Sequence, residues 1–355
     1  MARSRKITPQ RAINSSIGLA TSPVITGALL YGILYQPEKL LSILPEKLRP
    51  LVTSSRLITV LKGLLALGII GKASNKLSDL TVNNWKGAAK FIKSQEIVLI
   101  TGGSSGIGAA MAKQFSKHGV KVIILDRNPP TDPLPSNVFF YRTDVTSPTE
   151  IATTASEIRK THGNPTVLVN NAGVGSGGSI LDKSEAAIRK IFEVNTISHW
   201  WMVKEFLPAM IEKNHGHVVT MASAAAYISV AQMVDYSCTK SSALAFHEGL
   251  AAELKSVFKA DQVKTTILTP MWINTPLISE ISSNPKFKEP IMEVTPVAEK
   301  IVEHIMNGKS GHLAMPSTVN QVSSIRGWPS WLQYGLRNIY GAKSEAFGFF
   351  GKGTY

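Results

Sequence analysis

Two hydrophobic rhythms divide the chain. From Glu96 onward, short apolar runs alternate with longer stretches whose apolar positions recur every three or four residues. The runs "EIVLI", "VKVIILD", "SNVFFYRTDV", "TVLVNNAG", "HVVTMAS" and "VKTTILT" read as strands. Between them, "GIGAAMAKQFSKHG" reads as a helix ending at Gly119 and residues 148–161 as another. "SEAAIRKIFEVNTISHWWMVKEFLPAMIEK" reads as one long helix, and about Tyr236–Phe258 as the next. Strands that are apolar throughout belong to a sheet covered on both faces. Alternation with helices therefore predicts an α/β fold, a doubly wound parallel sheet with its ligand at the carboxyl ends of the strands.

Before Glu96 the rhythm changes. No charged residue lies between Arg11 and Glu38, and Ile17–Tyr35 is apolar over 19 residues. As a helix this run would rise about 28 Å, close to the hydrocarbon thickness of a bilayer. It reads as a retained membrane anchor. A signal peptide is the rival, because Arg3, Arg5 and Lys6 precede the run; a buried helix of a soluble protein is the plain alternative. A second run, Leu57–Ile70, is short and interrupted by Lys62, which suits a re-entrant or interfacial element. Residues 73–95 mix charges with Leu77, Leu80, Val82, Trp85 and Phe91, as an amphipathic linker on the membrane or on the domain surface would. The expected organisation is an anchor region over 1–72, this linker over 73–95, an α/β domain over 96–314 and an aromatic-rich extension over 315–355.

Charge sharpens this picture. The net charge is +14, yet residues 1–95 hold fourteen Lys and Arg against three acids and so carry +11 of it. Basic residues beside apolar runs fit a membrane surface, and no zinc-finger spacing or basic–aromatic interleaving points to nucleic acid. The single cysteine, Cys238, excludes an intramolecular disulfide. It falls between Tyr236 and Lys240, facing away from both, and is assigned no role. His215 and His217 read as solvated loop histidines, with no metal spacing around them.

The candidate chemistry begins at "TGGSSGIG", Thr101–Gly108, where the first strand runs into a glycine turn and a helix. Backbone N–H groups and a helix N-terminus gather there, as a pyrophosphate requires. Gly102 allows the tight turn; Gly106 and Gly108 keep side chains away from the cofactor and from helix packing. Gly-x-x-x-Gly-x-Gly is weak evidence taken alone. "NNAG" (Asn170–Gly173) and "YSCTK" (Tyr236–Lys240) follow it in order, at the ends of later strands. Lys240, four residues after Tyr236, shares its helix face, so its ammonium is expected to lower the phenol pKa.

In this order and context the motifs resemble the classical short-chain dehydrogenase/reductase family, with its Rossmann-type fold, over roughly Ile97 to Leu313. The resemblance implies a catalytic set of Asn195, Ser223, Tyr236 and Lys240. Ser223 would orient the substrate oxygen and Asn195 would hold a water linking Lys240 to solvent. It also implies cofactor contacts from Gly102, Ser104, Gly106, Ile107, Gly108, Asp126, Asp144, Asn171, Tyr236, Lys240, Ile273 and Thr275. "TPMWINTPL" fits the family's Pro-Gly-x-x-x-Thr segment except that Met271 replaces the glycine. Asp126, at the end of the second strand, favours NAD by accepting ribose hydroxyls and repelling a 2′-phosphate, while Arg127 leaves NADP open. The front end, "NNW" and "TPMWINTPL" are similar to retinol dehydrogenases and 17-beta-hydroxysteroid dehydrogenases of the endoplasmic reticulum and lipid droplets, and to their fungal relatives.

This resemblance implies a membrane enzyme for a lipophilic alcohol or ketone, with a homodimer left open. A soluble or peripheral reductase of a biosynthetic pathway is the alternative within the family, and a non-catalytic cofactor-binding scaffold on a lipid surface the alternative of another class. Trp272, Leu277, Ile278, Ile281, Ile291 and Met292 would wall the substrate pocket. The aromatic tail would dip into a bilayer or complete the pocket mouth. Lys72, Lys76, Lys86, Lys90 and Lys93, like the basic N-terminus, favour the cytosolic side. The two apolar runs then form a hairpin or do not cross fully, and the catalytic domain faces the cytosol.

Overall fold

The computed structural model describes residues 22–52, 54–175, 177–229 and 231–347. The basic cluster Arg3 to Arg11, the start of the run from Ile17 and the last aromatics of the tail lie outside them. The chain divides into two units, residues 1–82 and Asn83–Tyr355.

The first unit is helical. Helix α1 (Pro23–Tyr35) starts at a proline, whose missing N–H is no loss in a first turn. Helix α2 (Pro37–Ile43) follows, and then α3 (Ser55–Val82). Leu30 of α1 is buried, and Gly27 lies against Leu65 of α3. The second apolar run is thus neither short nor interrupted. No proline occurs between Pro50 and Pro129, and one lysine on a helix face breaks no backbone hydrogen bond, so the helix runs through Lys62 to Val82. Its 28 residues rise about 42 Å. It is the one helix among the described residues long and apolar enough to cross a membrane. The boundary expected at residue 72 falls inside it.

The second unit begins earlier than expected. Asn84 and Trp85 take positive φ, which ends the helix. The chain then lies on the surface of the α/β unit: Asn83 exchanges hydrogen bonds with the Ser310 backbone, and Lys86 pairs with Asp261 at 2.8 Å. Seven parallel strands follow: β1 (Ile97–Thr101), β2 (Lys121–Asp126), β3 (Val138–Arg142), β4 (Val167–Asn170), β5 (Gly216–Met221), β6 (Val263–Pro270) and β7 (Gly311–Met315). Their order is β3-β2-β1-β4-β5-β6-β7, which reverses direction between β1 and β4. A crevice opens at the carboxyl ends beside that reversal.

Alternate residues of each strand feed two cores. Val98 and Ile100 join Met111 and Phe115 of α4 (Gly106–Lys117) and Ile301 and Ile305 of α9 (Val294–Met306). Leu99 and Leu168 join Ile151 and Ile158 of α5 (Pro148–His162) and Met202 and Phe206 of α7 (Ser198–Lys213) on the other face. Each such buried side chain contributes roughly 1.5–3 kcal/mol of transfer free energy. Strand β7 and helix α9 were not among the elements read from the sequence. His217 corrects another reading: it is buried within β5, bonded to Thr266 Oγ1 at 2.8 Å, with burial pushing its pKa down to about 3. His215 meets the buried Glu96 carboxylate at 3.1 Å.

The long helix expected after "NNAG" is two helices, α6 (Glu185–Phe192) and α7, joined by a π-turn at Glu193–Ile197. Such a widened turn disrupts the regular ladder at one place and marks functional positions in many helices. Asn195 is its central residue.

Candidate active site

The glycine turn builds one end of the site. Gly102 has φ +65, and a Cβ there would stand 2.9 Å from the Ala172 backbone; a Cβ on Gly108 would strike the Gly102 carbonyl. These two positions let β1, β4 and the start of α4 approach one another. Asn171 fastens the junction, its amide donating to the carbonyls of Thr101 and Gly102 at 2.9 and 3.1 Å. Helix α4 opens with no side-chain cap on its N-terminal N–H groups, and Gly102, Ser105, Gly106 and Ile107 form the adjoining wall of a cavity of about 640 Å³.

The structure redistributes some expected contacts. Ser104 turns aside, its hydroxyl donating to the Asn128 carbonyl at 2.7 Å, and Ser105 takes the wall position instead. Gly108 is buried beneath the turn and serves packing. Asp126 reaches the cavity wall while accepting the N–H of Ser104 and of Asn128, each at 3.1 Å. Arg127 and Asp144 also line the wall and pair at 3.5 Å. Ile273 and Thr275 close the opposite side; a Cβ on Gly106 would stand 3.4 Å from the Thr275 methyl.

The candidate chemical groups meet in the middle of this cavity. Ser223 follows β5; its hydroxyl donates to the Pro270 carbonyl at 3.3 Å and accepts the Ala225 N–H. Tyr236 lies in the first turn of α8 (Val234–Ser256), with the Ser223 side chain near enough to its phenol to lower its pKa. Lys240 is buried one turn later, with Nζ 5.6 Å from the Tyr236 ring centroid and donating to the Met221 carbonyl at 2.9 Å. Burial pushes its pKa down to about 8. Burial also pushes the Tyr236 phenol up, against a smaller lowering by Ser223. The lowering expected from Lys240 therefore does not dominate among the chain's own groups, because desolvation of the phenolate is the larger effect.

Asn195 stands behind this trio and is fully buried. Its Oδ1 accepts the Val174 N–H at 2.8 Å, and its Nδ2 donates to the Val174 carbonyl and to Thr239 of α8. It thus ties the segment after β4 to the helix of Tyr236 and Lys240.

The other end of the cavity is largely apolar. Ile228, Met233, Met271, Trp272, Leu277 and Ile278 line it, joined by Val322 and Tyr340 from the C-terminal extension. Three expected wall residues sit elsewhere. Ile281 packs against Met233 and Phe287, Met292 packs against the main core and bridges Ile273, and Ile291 is exposed. Met271, in the place of the family's glycine, is accommodated by packing beside Tyr227 and Val319 while its N–H donates to Met315.

The glycine cradle, the open helix N-terminus and the carboxylate at the end of β2 suit a nicotinamide dinucleotide, with a pyrophosphate at the turn and a ribose near Asp126.

The model of the short chain dehydrogenase family matches residues 96–286. The chain is 44% identical to Dehydrogenase RED2 of Cochliobolus heterostrophus over 223 residues, covering 62% of this chain and 84% of that protein. It is 38% identical to Estradiol 17-beta-dehydrogenase 11 of Macaca fascicularis, covering 60% and 71%. The crystal structure of a short-chain dehydrogenase from Streptomyces avermitilis superposes with a TM-score of 0.57 at 23% identity, covering 72% and 99%. Members of this family bind NAD(H) or NADP(H), and by the match along its α/β unit the chain belongs to the short-chain dehydrogenase/reductase family of oxidoreductases.

Proposed function

We propose that the protein is a membrane-associated, NAD(P)-dependent oxidoreductase that interconverts a lipophilic alcohol and its ketone or aldehyde. The observation that carries this reading is that Ser223, Tyr236 and Lys240 line one cavity together with the glycine turn and Asp126 and with the apolar residues Ile228, Met233, Met271 and Trp272. Gly102, Gly106, Ile107, Asp126, Asp144, Asn171, Ile273 and Thr275 would hold the cofactor, which when bound supplies or accepts the hydride. Tyr236 passes the proton at the substrate oxygen, and Ser223 orients that oxygen by hydrogen bonding. The buried Lys240 ammonium stabilises the phenolate. Asn195 holds the segment after β4 in place and would hold a water that links Lys240 to solvent. Asp126 favours NAD over NADP, since a 2′-phosphate would meet its charge; Arg127, engaged with Asp144, is drawn away from that role.

An apolar pocket end suits retinoids, steroids or fatty alcohols, and the steroid named in Estradiol 17-beta-dehydrogenase 11 agrees with that class. Helix α3, the basic first 95 residues and the subgroup resemblance support attachment to the endoplasmic reticulum or lipid droplets with the catalytic unit in the cytosol. The test is turnover of all-trans-retinol, estradiol and 1-dodecanol by the full chain, with kcat/KM measured for NAD and NADP. Tyr236→Phe is expected to lose about 100-fold or more in kcat with cofactor affinity largely kept. Near-wild-type turnover in that variant would refute the assignment of the proton step, and a strong preference for NADP would refute that of Asp126.

A further inference from the structure

Asp235 directly precedes Tyr236 in the first turn of α8, where N–H groups lack intrahelical acceptors. The N-cap residue, Met233, provides no side-chain cap. Asp235 does so from inside the helix: its Oδ1 accepts the Tyr236 N–H at 2.8 Å. Its Oδ2 meets Lys183 Nζ at 3.2 Å. The two side chains are only 9% and 8% exposed, so this ion pair is shielded from solvent far more than any other Lys or Arg pair described.

Lys183 lies at the far end of the segment that leaves β4, just before α6, with its stem against Gly178. The near end of the same segment, at Val174 and Gly175, lines the cavity and is held by Asn195. Both ends are therefore tied to the helix that bears Tyr236. Asn195 reaches Thr239, three residues beyond the tyrosine, and Lys183 reaches Asp235, one residue before it. A buried pair is weak evidence for stability, because desolvation offsets its Coulomb attraction. Breaking it from one side leaves an uncompensated buried charge and is costly. Here the loss of Lys183 would take a compensating charge away from the buried Asp235, next to Tyr236.

We propose that the Lys183–Asp235 pair is a positioning latch. It holds residues 177–183 to the first turn of α8, as Asn195 holds Val174, so that the two described ends of the segment after β4 and the proton-transferring Tyr236 share a support. The kinetic half of this inference rests on the proposed function; the mechanical half does not. Lys183 and Asp235 are positioning residues, acting through the backbone of Tyr236.

The experiment is amide hydrogen exchange on the full chain, wild type against Lys183→Met and Lys183→Arg. Lys183→Met is expected to raise exchange by about tenfold or more in two separated segments together, 177–184 and 234–238. The strands should be unaffected, and Lys183→Arg should return both segments toward wild type. Acceleration of only one segment, or of neither, overturns the latch. Should Lys183→Met fail to fold, Lys183→Met/Asp235→Asn removes both charges and takes its place. With the buried charge gone it is expected to fold and still to exchange faster in both segments; wild-type protection there overturns the latch. The kinetic arm uses all-trans-retinol, estradiol and 1-dodecanol, on which the folded variant should lose about tenfold in kcat with cofactor KM within about twofold. A wild type inactive on all three would refute the proposed function and leave the exchange result to decide the latch.

Discussion

At Lys240, burial sets a pH dependence whose sign can be worked out. Its pKa is about 8 in the folded protein against 10.5 for an ordinary lysine, and the cause is desolvation. Between those values the unfolded chain keeps a proton that the folded one releases, so stability rises with pH across that window. Below about pH 8 both states are protonated and the gain is absent. The full shift corresponds to roughly 3 kcal/mol. Urea midpoints at pH 7.5 and 9.5 are expected to rise in the wild type relative to Lys240→Met, in which this contribution is lost; equal slopes in the two proteins would count against the burial account. Tyr236 and Lys240 were legible in the sequence because their relation is local, one helical turn. Ser105 was not. Which of two neighbouring serines faces the cavity depends on the path of the glycine turn, and there Ser104 is taken up by Asn128.

At the scale of elements, the C-terminal extension contributes Val322 and Tyr340 to the cavity wall. Arg326 donates to the carbonyls of Ala226 and Tyr227 and to the Ser241 hydroxyl. It thereby fastens the turn after Ser223 to the residue after Lys240. Val319, Ile325, Trp328 and Leu336 pack around Tyr227 and Ala314. Along α10 (Ser330–Phe347), Leu336 and Tyr340 are four residues apart and so share a face, one packing on the core and the other on the cavity. Arg326→Met should therefore lower both properties: about 1–2 kcal/mol of stability from lost hydrogen bonds, and several-fold in kcat/KM. A thermal melt and steady-state kinetics check this, and loss of stability without loss of kcat/KM would mean that the clamp does not reach the site. The aromatic composition of this tail was visible in the sequence, but not its connection to Ser223, since Arg326 and Ser241 are 85 residues apart.

At the scale of the whole molecule, the break at Val82 guides the design of a truncation. Deleting residues 1–82 removes α3 entire, whereas deletion at 72 would leave its last turns on the catalytic unit. The shortened protein should keep the Asn83–Ser310 and Lys86–Asp261 bonds and retain its cofactor affinity. Full-length protein should resist alkaline carbonate extraction, and residues 83–355 should be released. In sealed microsomes the catalytic unit should be open to added protease. Ready extraction of the full chain, or protection of the catalytic unit, would reverse the proposed attachment or its orientation.

What the sequence determined by itself was local or periodic. Apolar strands covered on both faces imply a parallel sheet, and a glycine turn between strand and helix implies an anion cradle. A Tyr and a Lys four apart on a helix share a face, and with a Ser at a strand end they carry the resemblance that implies a proton-transferring group. These properties reside in the order of neighbours along the chain. The tertiary structure decided what depends on distant segments meeting. Lys183 and Asp235 meet across 52 positions, and neither is distinguished by its own surroundings. His217 could be read as solvated until β5 was seen to run between β4 and β6, which buries it. The π-turn at Asn195 has no periodic signature, because one extra residue in a helix alters no hydrophobic pattern strongly enough to be read. Burial likewise settled the direction of the Tyr236 shift. Sequence spacing reveals the nearby ammonium, but only the packed cavity reveals how much water the phenol has lost.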